Sequence, residues 1–306
     1  MNRFKTMALA GMCATGLALF SEAQAEGEQG HYVHGVEGIK AASLPPPGLY
    51  WRWYNAYYSA TKLKDKNGDN QPVGLDLDVF ATVNRLIWMT PNKFLGADYG
   101  MDIIVPLINT NLNLNNIPGG GLHYNEFGLG DITIEPLLLS WHGAQWDAAA
   151  AVGAYLPTGR YDKTDSASPG KDFYTLLFTL GGTWYPDAEK LWSMSILSRY
   201  ETHSKKDETD LRLGDDFHFE WGVGRKVSDL VELGLAGYAQ WQVTDDRGTA
   251  AKGDPSVRDR VFGIGPEVVA TVPFLKSVLS LRGVKEFGAE DRSQGSIIAL
   301  TLTKPL

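Results

Sequence analysis

Charged side chains recur at every second position in several segments of this chain, where they alternate with apolar and aromatic residues. His218 and Glu220, for example, alternate with Phe219 and Trp221. Because residues two apart lie on one face of a β-strand, this spacing collects ionisable groups on one surface. The positions predicted to share that polar face are Arg52, Asp76, Asp78, Asp102, Asp131, Glu135, Asp147, Arg199, Glu201, His218, Glu220, Glu232, Glu267, Arg282 and Glu286.

Two kinds of chemistry fit these charges. Carboxylates outnumber arginines among them, and a wall of carboxylates inside a pore disfavours anions. The alternative is a structural network of ion pairs that packs the inside of a narrow barrel, because barrels of about eight strands are filled by side chains. Both interpretations remain open for each charge. Glu201, Glu220, Glu232 and Glu267 are predicted to line one wall of the lumen, with Arg199 and Arg282 holding some of them in place. We expect this wall to select weakly against anions.

Catalytic and metal-binding patterns are weaker. The six histidines are scattered without the spacing of a metal site, so neither a metal nor a cofactor is expected. Ser140 and His142 are close enough in sequence to act as nucleophile and base, which a lipid hydrolase requires. The sequence identifies no third catalytic partner for them. We therefore expect a protein that is not an enzyme.

Strands of alternating character must position these residues. The connections between them are alternately long and short, as in a barrel whose two rims face different compartments. The sequence therefore predicts an all-β fold, a transmembrane antiparallel β-barrel of the bacterial outer membrane with about twelve strands and an apolar belt roughly 25 Å tall. A soluble β-sandwich or barrel is the alternative. The predicted strands are 49–62, 75–89, 97–108, 127–141, 145–158, 173–185, 191–202, 217–226, 230–244, 258–272, 277–287 and 296–303.

The start of the chain is typical of a secretory signal. Arg3 and Lys5 precede an apolar stretch, and Ala23-Gln24-Ala25 forms a cleavage site, so residues 1–25 are predicted to be a signal peptide. The only cysteine lies within it. Residues 26–48 are predicted to form a periplasmic or lumenal arm, and residues 49–306 the barrel. Three consecutive prolines stiffen the arm, so we expect it to fold against or into the lumen. The formal charge of -8 argues against a nucleic-acid partner.

Six regions of the sequence carry distinctive strings. They are Gly35 to Gly48, Val83-Asn84-Arg85-Leu86-Ile87-Trp88, Gly128-Leu129-Gly130-Asp131-Ile132 with Glu135-Pro136-Leu137, Leu156-Pro157-Thr158-Gly159-Arg160-Tyr161-Asp162, Gly263-Ile264-Gly265-Pro266 and Lys285-Glu286-Phe287-Gly288-Ala289-Glu290. Together these strings resemble the family named for the MetA pathway of phenol degradation, whose members are described as transporter-like outer-membrane proteins.

The resemblance covers nearly all of the chain after the predicted signal. It implies passive uptake of small hydrophobic or aromatic compounds, with outer-membrane lipids, lipopolysaccharide and the barrel-assembly machinery as partners. A lipid-modifying hydrolase and a structural or adhesive barrel are the alternatives. One feature departs from the pattern of such barrels, which usually end in an aromatic residue: this chain ends Lys304-Pro305-Leu306.

Overall fold

A computed structural model describes residues 30–117, 119–251 and 254–306. The predicted signal peptide and the first residues of the predicted arm lie outside this part of the chain. The described residues contain thirteen strands, which form one antiparallel sheet. The strands are β1 Gly48–Leu63, β2 Leu75–Phe94, β3 Ala97–Leu114, β4 Leu122–Leu129, β5 Ile132–His142, β6 Trp146–Leu156, β7 Thr175–Trp184, β8 Trp192–His203, β9 Asp216–Lys226, β10 Val231–Gln242, β11 Arg260–Val272, β12 Ser277–Glu290 and β13 Ser293–Pro305.

Pairing between the first and last strands closes the sheet. β1 pairs with β13 on one side and with β2 on the other, and β2 pairs with β3. β4 pairs with residues 107–114 of β3, whereas β5 pairs with residues 98–104, so β4 and β5 together fill one position in the wall. The result is the closed twelve-stranded antiparallel barrel that the sequence predicted. In the described residues, helix is limited to one 3-10 turn at Pro273–Leu275.

The predicted fourth strand is interrupted, which is a correction to its continuous range of 127–141. The interruption falls at Gly130 and Asp131. The Asp131 carboxylate accepts hydrogen bonds from the backbone N–H groups of Gly159 and Lys171, both at 2.8 Å. The loop between β6 and β7 is thereby held against the break, where the backbone leaves the strand ladder.

Two faces of opposite character follow from the alternation along each strand. In β8, Trp192, Met194 and Ile196 point outward, whereas Ser193 and Ser195 are buried on the lumen side. Outward-facing aromatic and aliphatic side chains recur on β7 and β10, as an apolar membrane belt requires. No helix in the described part of the chain is both long and apolar enough to span a membrane.

In β2 the assignment of faces from the sequence is wrong. Asp76 and Asp78 were predicted to face the lumen, but they lie on the outer face of β2, which also carries Phe80 and Trp88. The apolar residues of β2 point inward instead. Leu75 is buried in a cluster with Leu63 of β1, and Leu77 packs against it. The interior of the barrel is a hydrophobic core at this position, so the apolar face of β2 turns inward and the aspartates turn outward.

Candidate functional site: the lumenal arm and its cavity

The segment that precedes β1 lies inside the barrel. His31 Nδ1 is 2.7 Å from Thr175 Oγ1, at the end of β7 next to a long loop. Ser43 Oγ is 3.0 Å from Thr183 Oγ1, near the opposite end of the same strand. The segment 30–47, which we call the arm, therefore follows the lumen along the length of β7.

Wall carboxylates bind the backbone of the arm. Glu220 accepts hydrogen bonds from the N–H groups of Gly35 at 2.8 Å and Glu37 at 3.1 Å. It also accepts from the Tyr32 hydroxyl and pairs with Arg199 at 2.9 Å. These interactions satisfy both oxygens of Glu220, which is fully buried. Within the described structure, this carboxylate thus holds the arm and does not face an open channel.

Two neighbouring carboxylates act in the same way. Glu267 accepts a hydrogen bond from the Ile39 N–H at 2.8 Å and pairs with Arg282 at 3.0 Å. Arg282 in turn donates to the Gly35 carbonyl oxygen at 2.6 Å. Glu232 forms an ion pair with Lys40 of the arm. The charged side chains that line the wall from β9 to β12 therefore bind the arm.

The arm also contributes a charge of its own, Glu37. Its carboxylate lies 2.9 Å from Arg52 Nη2 and 3.6 Å from Arg85 Nη1, and it accepts a hydrogen bond from the Tyr54 hydroxyl at 3.0 Å. Burial opposes ionisation of Glu37, but the guanidinium groups of Arg52 and Arg85 outweigh burial and hold its pKa below the ordinary value. Glu37 is therefore ionised and ties the arm to β1 and β2.

Arg85 links this contact to the wall. It lies 2.7 Å from Glu135 of β5 and 2.5 Å from Asp102 of β3. Neither Glu37 nor Arg85 was among the predicted site residues. Glu37 lies in a segment without strand periodicity, and Arg85 lies on the face of β2 that the sequence assigned to lipid. Only a structure brings these residues together, because they come from separate elements.

Two arm histidines pack against the barrel wall, His31 at Asp131 and His34 at β9. His31 Nε2 is 2.9 Å from Asp131 Oδ2, and the His34 ring lies 4.7 Å from the His218 ring. Burial lowers the pKa of His31 despite its hydrogen bond to Asp131. Burial, reinforced by His218 and by Arg292, holds the pKa of His34 well below its ordinary value. Docking of the arm therefore disfavours the protonated form of both histidines.

A cavity of about 140 Å³ lies beside the arm, and its lining comes from the arm, from β1 to β3 and from β5 to β8. Apolar side chains make up much of the lining, and aromatic and charged groups already described complete it. A cavity of about 150 Å³ lined by apolar side chains is large enough to hold benzene. The apolar lining comprises Val33, Val36, Ala56, Ala81, Val83, Ile104, Pro106, Ile108 and Leu177, and the polar lining includes Tyr32, Glu37, Arg85, Glu135 and Arg199.

The remaining predicted site residues are distributed around the lumen. Glu201 pairs with His218 at 2.8 Å, and Glu286 accepts hydrogen bonds from Tyr58 and Tyr238. Glu201, His218 and Glu286 are buried in the barrel interior, as are Asp102, Asp131, Glu135, Asp147, Arg199 and Arg282. Arg52 also faces inward, whereas Asp76 and Asp78 do not. Within the described residues, no group of three or more His, Cys, Asp or Glu side chains is arranged to hold a metal ion.

Ser140 and His142 have a third partner that the sequence did not reveal. Ser140 Oγ is 3.0 Å from His142 Nε2, and His142 Nδ1 is 2.9 Å from Asp147 Oδ1. Asp147 lies across the hairpin from His142, so its proximity depends on the register between β5 and β6. This connectivity is that of a serine–histidine–aspartate triad. However, Ser140 is only 1% exposed, and the Tyr185 hydroxyl occupies the second oxygen of Asp147.

Comparison with known proteins agrees with the barrel architecture. The family described as "Putative MetA-pathway of phenol degradation" matches residues 60–302. No curated protein matches the chain significantly. The COG4313 outer membrane channel from Pseudomonas putida F1 has a similar structure with a TM-score of 0.74 at 12% identity, covering 90% of this chain and 100% of that one. The transport unit of the autotransporter AIDA-I from Escherichia coli has a TM-score of 0.49 at 10% identity, covering 95% and 98%.

Proposed function

The chain belongs to the family of the MetA pathway of phenol degradation, and we propose that it is an outer-membrane channel for passive uptake of small neutral hydrophobic or aromatic molecules. The observation that carries this proposal is the cavity beside the arm. Its volume suits one aromatic ring, and its apolar lining residues suit the ring faces. In this proposal the predicted signal peptide directs the chain to the outer membrane, where lipid and lipopolysaccharide surround the apolar belt.

The polar residues that line the cavity favour neutral solutes over ions. Arg85 is already paired with Asp102 and Glu135, and Arg199 with Glu220. An ionic solute entering the cavity loses hydration without gaining an unpaired counter-charge, which is costly in a buried site. A neutral molecule with a single hydroxyl loses far less. Anions are thus rejected because Arg85 and Arg199 are already paired with carboxylates, and not because unpaired carboxylates line the lumen.

Passage of a solute depends on the arm. The arm contacts β1 and β2 through Glu37 and contacts β9, β10 and β11 through Glu220, Glu232 and Glu267. Four strands separate β9 from β1 in the closed sheet, so the arm crosses the lumen. We propose that the solute first occupies the cavity beside the docked arm and that arm movement then opens the path.

A cavity-filling substitution tests this function. Ala81 lines the cavity and is buried, so Ala81→Phe should fill it and reduce phenol binding by at least tenfold. Binding is measured by saturation-transfer NMR on the folded barrel in micelles, and uptake in cells with an intact outer membrane. Ala150→Phe on the outer face of β6 is the matched control and should bind phenol normally. Unchanged phenol binding by a folded Ala81→Phe barrel contradicts the proposed site.

Ester hydrolysis is a second candidate, favoured by the distances among Ser140, His142 and Asp147. The burial of Ser140 means that the serine becomes reachable only if neighbouring structure moves. A fluorophosphonate probe tests this alternative directly because it labels activated serines. Hydrolysis is supported if Ser140→Ala abolishes the labelling and Ser195→Ala does not change it. Absence of labelling in a folded barrel contradicts this activity.

A further inference from the structure

The lipid-facing surface of the barrel differs from one strand to another. On β10, Leu233 and Leu235 face outward and are 46% and 49% exposed. On β1 and β2 the corresponding outward positions are polar, with Asn55 opposite Thr82 and Trp53 opposite Asn84. Together with Trp51, these residues form one continuous surface across two strands. We call it the β1–β2 polar patch, defined by Trp51, Trp53, Asn55, Thr82 and Asn84.

The patch lies within the belt and not at a rim. Along the outer face of β2, Thr82 and Asn84 fall between Phe80 and Trp88, two exposed aromatic residues. Leu86 follows Asn84 on the same face. On β13, which pairs with β1, Leu300 lies opposite Asn55 and Leu302 opposite Trp53. Polar side chains are thus placed at a depth where the adjacent strand presents leucine to lipid.

Hydrogen bonds inside the patch are incomplete. The Trp51 indole donates to Asn84 Oδ1 at 3.0 Å, and the Trp53 indole donates to Thr82 Oγ1 at 2.8 Å. An indole N–H donates and cannot accept, so it offers nothing to the amide N–H groups of Asn84. Within the described residues Asn84 Nδ2 makes no hydrogen bond, and its side chain is exposed. A polar donor without a partner is unfavourable in hydrocarbon.

We propose that the β1–β2 polar patch is the interface between two copies of this chain in the membrane. A carboxamide carries both donors and an acceptor oxygen with two lone pairs, so Asn84 Oδ1 can accept from Trp51 and from a second amide. Across a twofold axis, each Asn84 then donates to the other. Such a surface is complementary to itself, as the isologous interface of a symmetric dimer requires. Polar side chains commonly link segments within membranes in this way.

Disulfide scanning tests the dimer directly, because the only cysteine of the chain lies in the predicted signal peptide. Asn84→Cys, Thr82→Cys and Asn55→Cys are made singly and oxidised in native outer membranes. Cysteines near a twofold axis approach closely enough to form a disulfide. Leu235→Cys on the outer face of β10 is the matched control. Folding of each variant is confirmed by the heat-dependent gel mobility of the barrel.

At least one patch variant should form a covalent dimer with a yield at least tenfold above that of Leu235→Cys. The unmodified protein should have the mass of a dimer by light scattering in mild detergent, and the double variant Thr82→Val, Asn84→Leu should have the mass of a monomer. A monomeric unmodified protein overturns the proposal. So does equal cross-linking at Leu235, and so does a patch cysteine that cross-links only to a different protein.

Discussion

The two sides of the lumen hold the same arm by different physics. On the side of β9 to β12, Glu220 and Glu267 accept hydrogen bonds from the arm backbone, so these contacts require the backbone to pass close to the wall. On the side of β1 to β3, one arm side chain, Glu37, meets two arginines, and beside it lies the cavity. The first side fixes the path of the arm, whereas the second leaves room for a solute and depends on one charge.

Removal of the Glu37 charge should have the largest effect. Glu37→Ala leaves Arg52 without its carboxylate and Arg85 with only its wall partners. Breaking a buried ion pair from one side costs about 3–5 kcal/mol, which weakens arm docking by a factor of about 100 or more. An Ala42→Cys reporter measures docking, because Ala42 is fully buried and becomes reactive to maleimide only when the arm leaves.

Glu37→Gln sharpens this test because it keeps the shape and the hydrogen bond from Tyr54. It should release the arm more than the unmodified protein and less than Glu37→Ala. Glu126→Gln on β4 is the control, because it removes a carboxylate that pairs with Arg160 of a loop and not with the arm. Equal maleimide reactivity of the Ala42→Cys reporter with and without Glu37→Ala shows that the β9 to β12 side alone holds the arm.

Acid should release the arm through its histidines. The pKa of His31 and of His34 is lowered in the docked arm, so the docked state binds fewer protons than the released state. Docking is therefore fully favoured above about pH 6.5 and weakens as the pH falls below it. Between pH 7.5 and 5.5 each histidine contributes up to about a tenfold increase in the released population.

The pH dependence has its own matched variants. His34→Gln should remove about half of the logarithmic change in Ala42→Cys reactivity, whereas His123→Gln on the outer face of β4 should leave it unchanged. The pKa of Glu37 and that of Asp131 are held below their ordinary values, so both carboxyls become protonated only in stronger acid. A flat profile between pH 7.5 and 5.5 means that the released arm keeps its histidines buried elsewhere.

The sequence predicted the barrel because most strands bury one polar face and expose one apolar face, as in β7 and β8. The prediction failed where the lumen itself is apolar: Leu75 and Leu77 of β2 pack inside, so Asp76 and Asp78 turn outward. The contacts between the arm and the wall could not be predicted from the sequence for another reason. Gly35 and Glu220 are far apart along the chain, and a segment without periodicity gives no register for such a pair.

The path of the arm should tolerate little added volume at Gly38. A Cβ placed there lies 1.9 Å from Glu267 Oε2 and 2.5 Å from Arg282 Nη2. Gly38→Ala therefore forces these side chains to move and weakens docking by about 1–3 kcal/mol. Ala41→Val, three positions along on the half-exposed part of the arm, is the control. Maleimide reactivity of the reporter measures both, and equal values mean that the β9 to β12 wall adjusts freely.

Enlarging the cavity should have the smallest effect and should leave the arm in place. Val83 lines the cavity but makes no contact with Glu37 or Glu220 in the interactions described above. Val83→Ala removes two methyl groups and should cost about 1 kcal/mol or somewhat more in barrel stability, since Val83 is only half-buried.

The larger cavity should accept a propyl-substituted phenol with affinity close to that for phenol, whereas the unmodified protein should prefer phenol. Saturation-transfer NMR gives both affinities, and maleimide reactivity of the Ala42→Cys reporter should be the same with and without Val83→Ala. If the preference for phenol persists in Val83→Ala, the solute is bound elsewhere, and the β1 to β3 side differs from the β9 to β12 side only in how it holds the arm.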